Sequence, residues 1–292
     1  MKAFLRNLAQ KFTQSRFLQT LHLVNVAVSK ASFNRQRCQP KDHLPRTWEY
    51  SGFSQNGEDG IIEFLHDRLS EKNHFFIEIG ASDGTENNTS LLAICKRFAG
   101  IMIEGSMERH LLCQRVLHAM DNPFVLCKQA YVGTENLADL LKDCPYKEPD
   151  VFSLDIDSND YYVAEKLFDL GFLPKIFVVE YNASFGDSLP LTIPYTSNFN
   201  LAKAHSSLVY FGASLAAWKH LFEKKGYVFI TTEASGSNAF FVQPKYFEAD
   251  FLAKIEGVPF TDNRAQAFWL KKDWSSRFEL MKSMPFRDVT KA

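Results

Sequence analysis

The chain has 292 residues, 46% of them hydrophobic and 23% charged, enough for one large α/β domain or two small ones. A formal net charge of -1 argues against nucleic-acid binding held by bulk electrostatics. The five cysteines (Cys38, Cys95, Cys113, Cys127 and Cys144) are odd in number and never spaced as CxxC. Neither a zinc site nor a disulfide framework is therefore expected, and most of the thiols are expected to be buried.

Residues 1–45 form the first segment. Before Asp42 there is no acidic residue, while Lys2, Arg6, Lys11, Arg16, Lys30, Arg35, Arg37 and Lys41 are basic. Phe4, Leu5, Leu8, Phe12, Leu18, Leu21 and Val24 recur at roughly helical spacing. The segment reads as a basic amphipathic helical arm or lid. It either makes peripheral contact with an anionic membrane or acidic partner, or packs on the main domain with its basic face in water. No stretch approaches the roughly eighteen apolar residues of a membrane span. The start of the chain also lacks the compact apolar core and cleavage site of a secretory signal, so a cytoplasmic location is expected.

Polar residues with Pro40 and Pro45 mark the boundary, and residues 46–292 form the main domain. A helix is predicted from about Glu58, with acidic residues in its first turn. Phe75–Ile79 reads as a strand that ends in Gly80-Ala81-Ser82-Asp83-Gly84, followed by a helix at 91–94. Strands at 100–104, 124–127, 151–156 and 176–180 alternate with helices at 109–119, 137–141 and 161–170, the last stopped by Gly171. Nearly all-apolar strands alternating with helices call for a mostly parallel sheet covered on both faces. Residues 183–205, with Pro190 and Pro194, read as a long loop or lid. A helix at 214–224 precedes two strands, 227–232 and 239–242, whose short glycine-bearing connection makes an antiparallel hairpin.

The chemistry is expected at the first glycine turn. Gly80 lets the backbone turn tightly and approach a ligand, and Gly84 keeps the next element close. Glu104 ends the following strand, where a carboxylate can accept hydrogen bonds from both hydroxyls of a ribose. A dinucleotide would use the same two features. However, Ser82 and Asp83 stand where GxGxxG has its middle glycine, and Glu78 opens the loop with a negative charge. That charge repels a pyrophosphate and suits a ligand with an ammonium and a sulfonium. The terminal hairpin also favours a methyltransferase over a nicotinamide oxidoreductase.

Ser54-Gln55, Glu78-Ile79-Gly80-Ala81-Ser82-Asp83-Gly84, Asn88-Thr89, Ile103-Glu104-Gly105 and Asp155-Ile156-Asp157 with Asp160 resemble the FkbM-type methyltransferases, over roughly residues 50–245. The resemblance implies a Rossmann-like class I methyltransferase fold, a mostly parallel seven-stranded sheet with a C-terminal antiparallel hairpin and helices on both faces. It implies S-adenosylmethionine as methyl donor and, often, O-methylation of a sugar, polysaccharide end or small metabolite. It also points to Gln55 as a donor contact. The commoner pattern after the fourth strand is Asp-x-Glu-Gly-x-Glu. Here it reads Asp155-x-Asp157-Ser158-x-Asp160, with a shorter carboxylate and no glycine.

The donor site is thus expected to use Gln55, Glu78, Gly80, Asp83, Gly84, Asn88, Glu104 and Tyr131. Asn88 either contacts the ligand or starts the next helix, and Tyr131 either stacks near adenine or packs as an ordinary aromatic. Asp155 and Asp157, at the C-terminal sheet edge, and His205, after the lid-like loop, are the candidate acid–base residues. Asp155, Glu180 and Asn182 are candidate oxygen ligands for Mg²⁺. The acceptor is a small molecule or glycan, and no nucleic acid is expected. Two other readings are a catalytically silent scaffold that keeps the fold and, less favoured, a nicotinamide-dependent oxidoreductase.

Overall fold

A 36-residue helix, α1 (Lys2–Arg37), opens the computed structural model. The structure describes the backbone of residues 2–291 and the side chains of residues 18, 19 and 21–291. Phe4, Leu5, Leu8 and Phe12 of the proposed apolar stripe, with Lys2, Arg6, Lys11 and Arg16, have side chains outside the described residues. The second half of α1 docks on the main domain, burying Val24, Ala27 and Ala31 with Tyr50, Phe53, Leu91 and Val116. At Gly52 a Cβ would stand 2.3 Å from that of Ala31, so the approach requires glycine. Asn34 Nδ2 donates to Ser51 O at 2.7 Å, and Arg35 pairs with Glu63 at 2.8 Å. Leu18, Leu23, Val26 and Phe33 remain exposed, and none of the described side chains of α1 borders either of the site cavities described below. Among the described residues no helix is long and apolar enough to cross a membrane.

The main sheet is built around β1 (Phe75–Ile79), buried at every position. Alternating side chains sort its two faces. Phe76 packs with Ile61, Ile62 and Leu65 of α2 (Glu58–Asp67) and with Cys113 and Leu117 of α3 (Met107–Ala119). Phe75, Ile77 and Ile79 join the larger core with α4 (Leu137–Leu141), α5 (Asp160–Asp169) and α6 (Leu215–Lys224). In that core Phe222 stacks on Phe241 with centroids 4.1 Å apart, and Trp218 is fully enclosed. Each such aromatic contributes roughly 1.5–3 kcal/mol of burial.

β1 pairs in parallel with β2 (Ala99–Glu104) and β4 (Val151–Leu154). Outside them lie β3 (Val125–Gln129) and β5 (Ile176–Glu180), also parallel. The hairpin β6 (Val228–Thr232) and β7 (Asn238–Val242) completes seven strands, with β7 antiparallel to β5. The order is β3-β2-β1-β4-β5-β7-β6. This is the Rossmann-like methyltransferase fold: a mostly parallel sheet finished by an antiparallel hairpin, with helices on both faces. The chain reverses its direction of travel across the sheet between β1 and β4, where open α/β folds place ligands.

Three local expectations change. The helix after the glycine turn is a single π turn, Leu91–Cys95, because the chain must re-enter the sheet at Ala99. Asn122 Nδ2 ties its Ala93 carbonyl and the Phe98 carbonyl at 2.7 and 3.0 Å. Leu126 of β3 and Phe124 just before it are exposed, β3 being an edge strand, whereas the sequence alone assigns these apolar residues to the interior. The cysteines are all free, yet only Cys113 is buried, which corrects the expectation of mostly buried thiols.

Candidate active site

β1 ends in a turn that only glycine can make. Gly80 has φ 93°, and a Cβ there would lie 1.7 Å from the Asp155 carbonyl oxygen. The loop therefore presses directly on the end of β4. Gly84, at φ 78°, sits against Cys113 of α3, whose Sγ would be 2.9 Å from a Cβ. Between them Ser82 holds a positive φ of 51°. Its N–H donates to Glu104 Oε2 at 2.8 Å, while Ser106 N–H donates to Glu104 Oε1 at 2.7 Å. The carboxylate at the end of β2 thus organises the turn and keeps free lone pairs on both oxygens.

A cavity of about 450 Å³ opens at this edge, within the range of small-molecule sites. Gly80, Ser82, Glu104, Asp155 and Asp157 line it, together with Tyr131, Arg109, Phe199 and Asn200. Ser197, Phe199, Asn200 and Leu201 of the long segment after β5 thus border the cavity. The segment is tied down by the two-residue strand Leu191–Thr192, paired with Arg287–Asp288. Tyr131 is 80% exposed and lies against Gly105, where a Cβ would come within 2.6 Å of its ring. That is an open aromatic face at the cavity rim, not a packed core aromatic.

A second cavity of about 130 Å³ adjoins the first, sharing Gln55, Gly80, Glu86 and Asp155. Glu78, Glu58, Glu180, Asn88 and Asn238 complete much of its wall. Glu78 accepts the N–H of Asn88 at 2.9 Å, the N–H of Thr89 at 3.2 Å and the Thr89 hydroxyl. Burial pushes its carboxyl up to about 7, against the pull of those donors. Glu58 takes Asn56 N–H at 2.7 Å and Asn238 Nδ2 at 2.8 Å.

The loop after β4 is shaped by Asp160, which accepts Ile156 N–H at 2.8 Å and Ser158 N–H at 2.9 Å. It helps hold Asp157 at a strained φ of 52° and presents Asp155 and Asp157 to the larger cavity. Single oxygens of Asp155, Asp157 and Glu180 lie within 4.8 Å of one another. Desolvation, then repulsion from Asp157 and Asp160, holds the Asp155 carboxyl well above its ordinary range. Desolvation, then repulsion from Asp155, Asp157 and Asp160, does the same to Glu180. Trp218 Nε1 donates to Glu180 O at 2.9 Å and fixes the end of β5.

Gln55, Glu78, Gly80, Asn88, Glu104 and Tyr131 all border these cavities, together with Asp155, Asp157 and Glu180. Gly84 acts one layer behind, in packing. Asp83 lines neither cavity, and its Oδ1 accepts the Thr85 N–H at 2.9 Å and the Thr85 hydroxyl at 2.6 Å. Asn182 is corrected as a metal ligand. Its Oδ1 caps Ser184 N–H at 3.0 Å and its Nδ2 serves the Val209 and Phe211 carbonyls, so the whole amide is spent on structure. His205 lines neither cavity, and its Nδ1 is bonded to Ser207 Oγ at 2.7 Å. Arg109, Glu58, Glu86 and Asn238 were not legible as site residues. Glu58 reads as an ordinary first-turn acid and Asn238 as a hairpin residue, and only the folded sheet brings them to β1.

No family model matches this chain, and no curated protein matches it. Solved structures overlap it in part. One is an O-methyltransferase from Bacillus cereus in complex with SAH, 10% identical, covering 74% of this chain and 89% of that one, with a TM-score of 0.42. Another is a SAM-dependent methyltransferase from Thiobacillus denitrificans in complex with S-adenosyl-L-homocysteine, 16% identical, covering 58% and 64%, with a TM-score of 0.34. A third is the YjhP protein from E. coli, 18% identical, covering 57% and 64%, with a TM-score of 0.34.

Proposed function

We propose that the chain is an S-adenosylmethionine-dependent methyltransferase of the FkbM type, acting on a hydroxyl of a sugar, a polysaccharide end or a small metabolite. The charge of the larger cavity carries this reading. Among the described residues, Glu86, Glu104, Asp155 and Asp157 line it with Arg109 as the one cation. A donor with an ammonium and a sulfonium gains from that field, whereas a pyrophosphate faces four carboxylates. The Ser82 N–H that would greet a phosphate already donates to Glu104. Free lone pairs on Glu104 suit ribose hydroxyls, and the open face of Tyr131 suits a purine.

Methyl transfer needs positioning more than acid–base machinery. The acceptor oxygen attacks the methyl carbon, the new C–O bond forms as the S–C bond breaks, and the electron pair stays on sulfur as a neutral thioether. The acceptor proton leaves to a carboxylate, and Asp155 and Asp157, which line the larger cavity, are the candidates to take it. The test is incubation with methyl-labelled donor and a panel of sugars, oligosaccharides and hydroxylated metabolites. The expected result is label in at least one acceptor, with stoichiometric S-adenosylhomocysteine. Tight donor binding without transfer to any acceptor would favour a silent scaffold.

A further inference from the structure

The acids around the two cavities fall into two groups. Glu58, Glu78 and Glu104 have oxygens committed to N–H or O–H donors. Glu86 accepts from Gln55 Nε2 at 2.5 Å. Asp155, Asp157 and Glu180 are different. Among the described residues no N–H group donates to their carboxylates, and no lysine or arginine makes an ion pair with them. Yet their oxygens fall within 4.8 Å of one another. Oxygens bound to one hard divalent ion lie about 2.0–2.6 Å from it, so those on opposite sides are separated by about 4–5 Å. The observed spread meets that limit.

A second, independent feature borders the smaller cavity beside Asp155 and Glu180. Asn238 is 5% exposed, and its Oδ1 has no hydrogen-bond partner. Its Nδ2 donates to Glu58 at 2.8 Å, which fixes the amide: the reverse orientation would set its oxygen against a carboxylate. Asn238 is also the register partner of Glu180 across β5 and β7, and both residues line the 130 Å³ cavity with Asp155. A buried amide oxygen left without a donor costs about 1–3 kcal/mol unless something binds it.

We propose that Asp155, Asp157, Glu180 and the Oδ1 of Asn238 form a site for one hard divalent cation, with Asn238 supplying the neutral oxygen. All four donors are oxygen, which selects Mg²⁺, Mn²⁺ or Ca²⁺ over softer ions. The cavity has room for the ion and about three waters at about 30 Å³ each. Because it shares Gln55, Gly80, Glu86 and Asp155 with the larger cavity, the ion's open positions face the place where donor and acceptor would meet. That placement rests on the methyltransferase reading; the binding itself does not.

Mn²⁺ titration of the full chain, followed by the loss of free-ion paramagnetic resonance signal, tests the site without donor. The expected result is one Mn²⁺ per chain, displaced by excess Mg²⁺. Glu180→Gln and Asn238→Ala should each weaken binding at least about tenfold, with unchanged circular dichroism. Absence of stoichiometric Mn²⁺ at millimolar ion overturns the proposal, as does binding indifferent to both weakening variants. S-Adenosylhomocysteine titrated into the same samples separates the two readings: Mn²⁺ bound without it sinks the donor assignment alone, and the reverse sinks the cation site alone.

Discussion

Gly80→Ala is expected to abolish donor binding and to cost on the order of 3 kcal/mol of stability. Two separate effects combine. The residue sits at φ 93°, a region that an L side chain rarely adopts, and its Cβ would lie 1.7 Å from the Asp155 carbonyl oxygen. Relief requires the glycine turn and the end of β4 to part, and both segments line the larger cavity. Gly171→Ala is the matched control, since Gly171 has a similar φ of 77° and nothing within 4 Å of its Cβ. It should lose only the conformational part, about 1 kcal/mol, and leave ligand affinity intact. Urea unfolding and S-adenosylhomocysteine affinity of the two variants decide the matter. An alanine at position 80 that bound within a factor of about three of wild type would remove the turn from the site.

Asp150→Asn is expected to destabilise the fold by about 3–5 kcal/mol without touching either cavity. Asp150 is fully buried just before β4. It accepts Asn73 N–H at 3.0 Å and His74 N–H at 2.8 Å, pairs with Lys175 Nζ at 2.9 Å and meets His66 Nε2 at 3.2 Å. Neutralising it leaves the Lys175 ammonium, itself buried, without its counter-charge. Burial alone would raise the Asp150 carboxyl, but bonds from His66, Lys175, Asn73 and His74 outweigh it and hold the pKa at about 2. A folded pKa below the unfolded value of about 3.9 stabilises the native state above pH 4. That contribution, roughly 2 kcal/mol, is lost as pH falls through 2. His66 works the other way. Burial opposes its charge, yet the bond to Asp150 and the nearby Asp67 carboxylate, 3.8 Å from Nδ1, raise its pKa, so its contribution is present below pH 6.5 and fades as pH rises. Denaturant midpoints between pH 2 and 5 should therefore fall steeply for wild type and more gently for the variant. Parallel curves would mean that Asp150 is not the group responsible.

Much of this architecture is legible in the chain because the parallel strands are apolar on both sides and punctuated by glycine. Phe75–Ile79 followed by Gly80 specifies β1 and its turn, and the hairpin follows from two apolar runs about the 233–238 connection. Glu104 at the end of β2 is legible for the same reason, since position along a strand is a local property. The smaller cavity is not local. Glu58 reaches it from α2, Glu180 from β5 and Asn238 from β7, and Asn238 matters because of its register with Glu180. Nothing near it in sequence marks it. Asn182 shows the converse: three residues Glu180-Tyr181-Asn182 look like a ligand run, but β5 ends at Glu180 and the amide is consumed in capping the next turn. His205 likewise follows Leu201 in sequence without reaching the cavity that residue borders.

The most direct measurement is calorimetric titration of S-adenosylhomocysteine into the purified chain and into Glu104→Gln. The substitution keeps an oxygen for one backbone N–H while removing the charge offered to ribose hydroxyls. Micromolar, one-to-one binding is expected for the native chain, weakened at least about tenfold by Glu104→Gln, since a hydrogen bond to a charged group contributes about 1.5–3 kcal/mol. No binding to folded native protein, or equal affinity for both, would contradict the assignment of the glycine turn and Glu104 as the donor site.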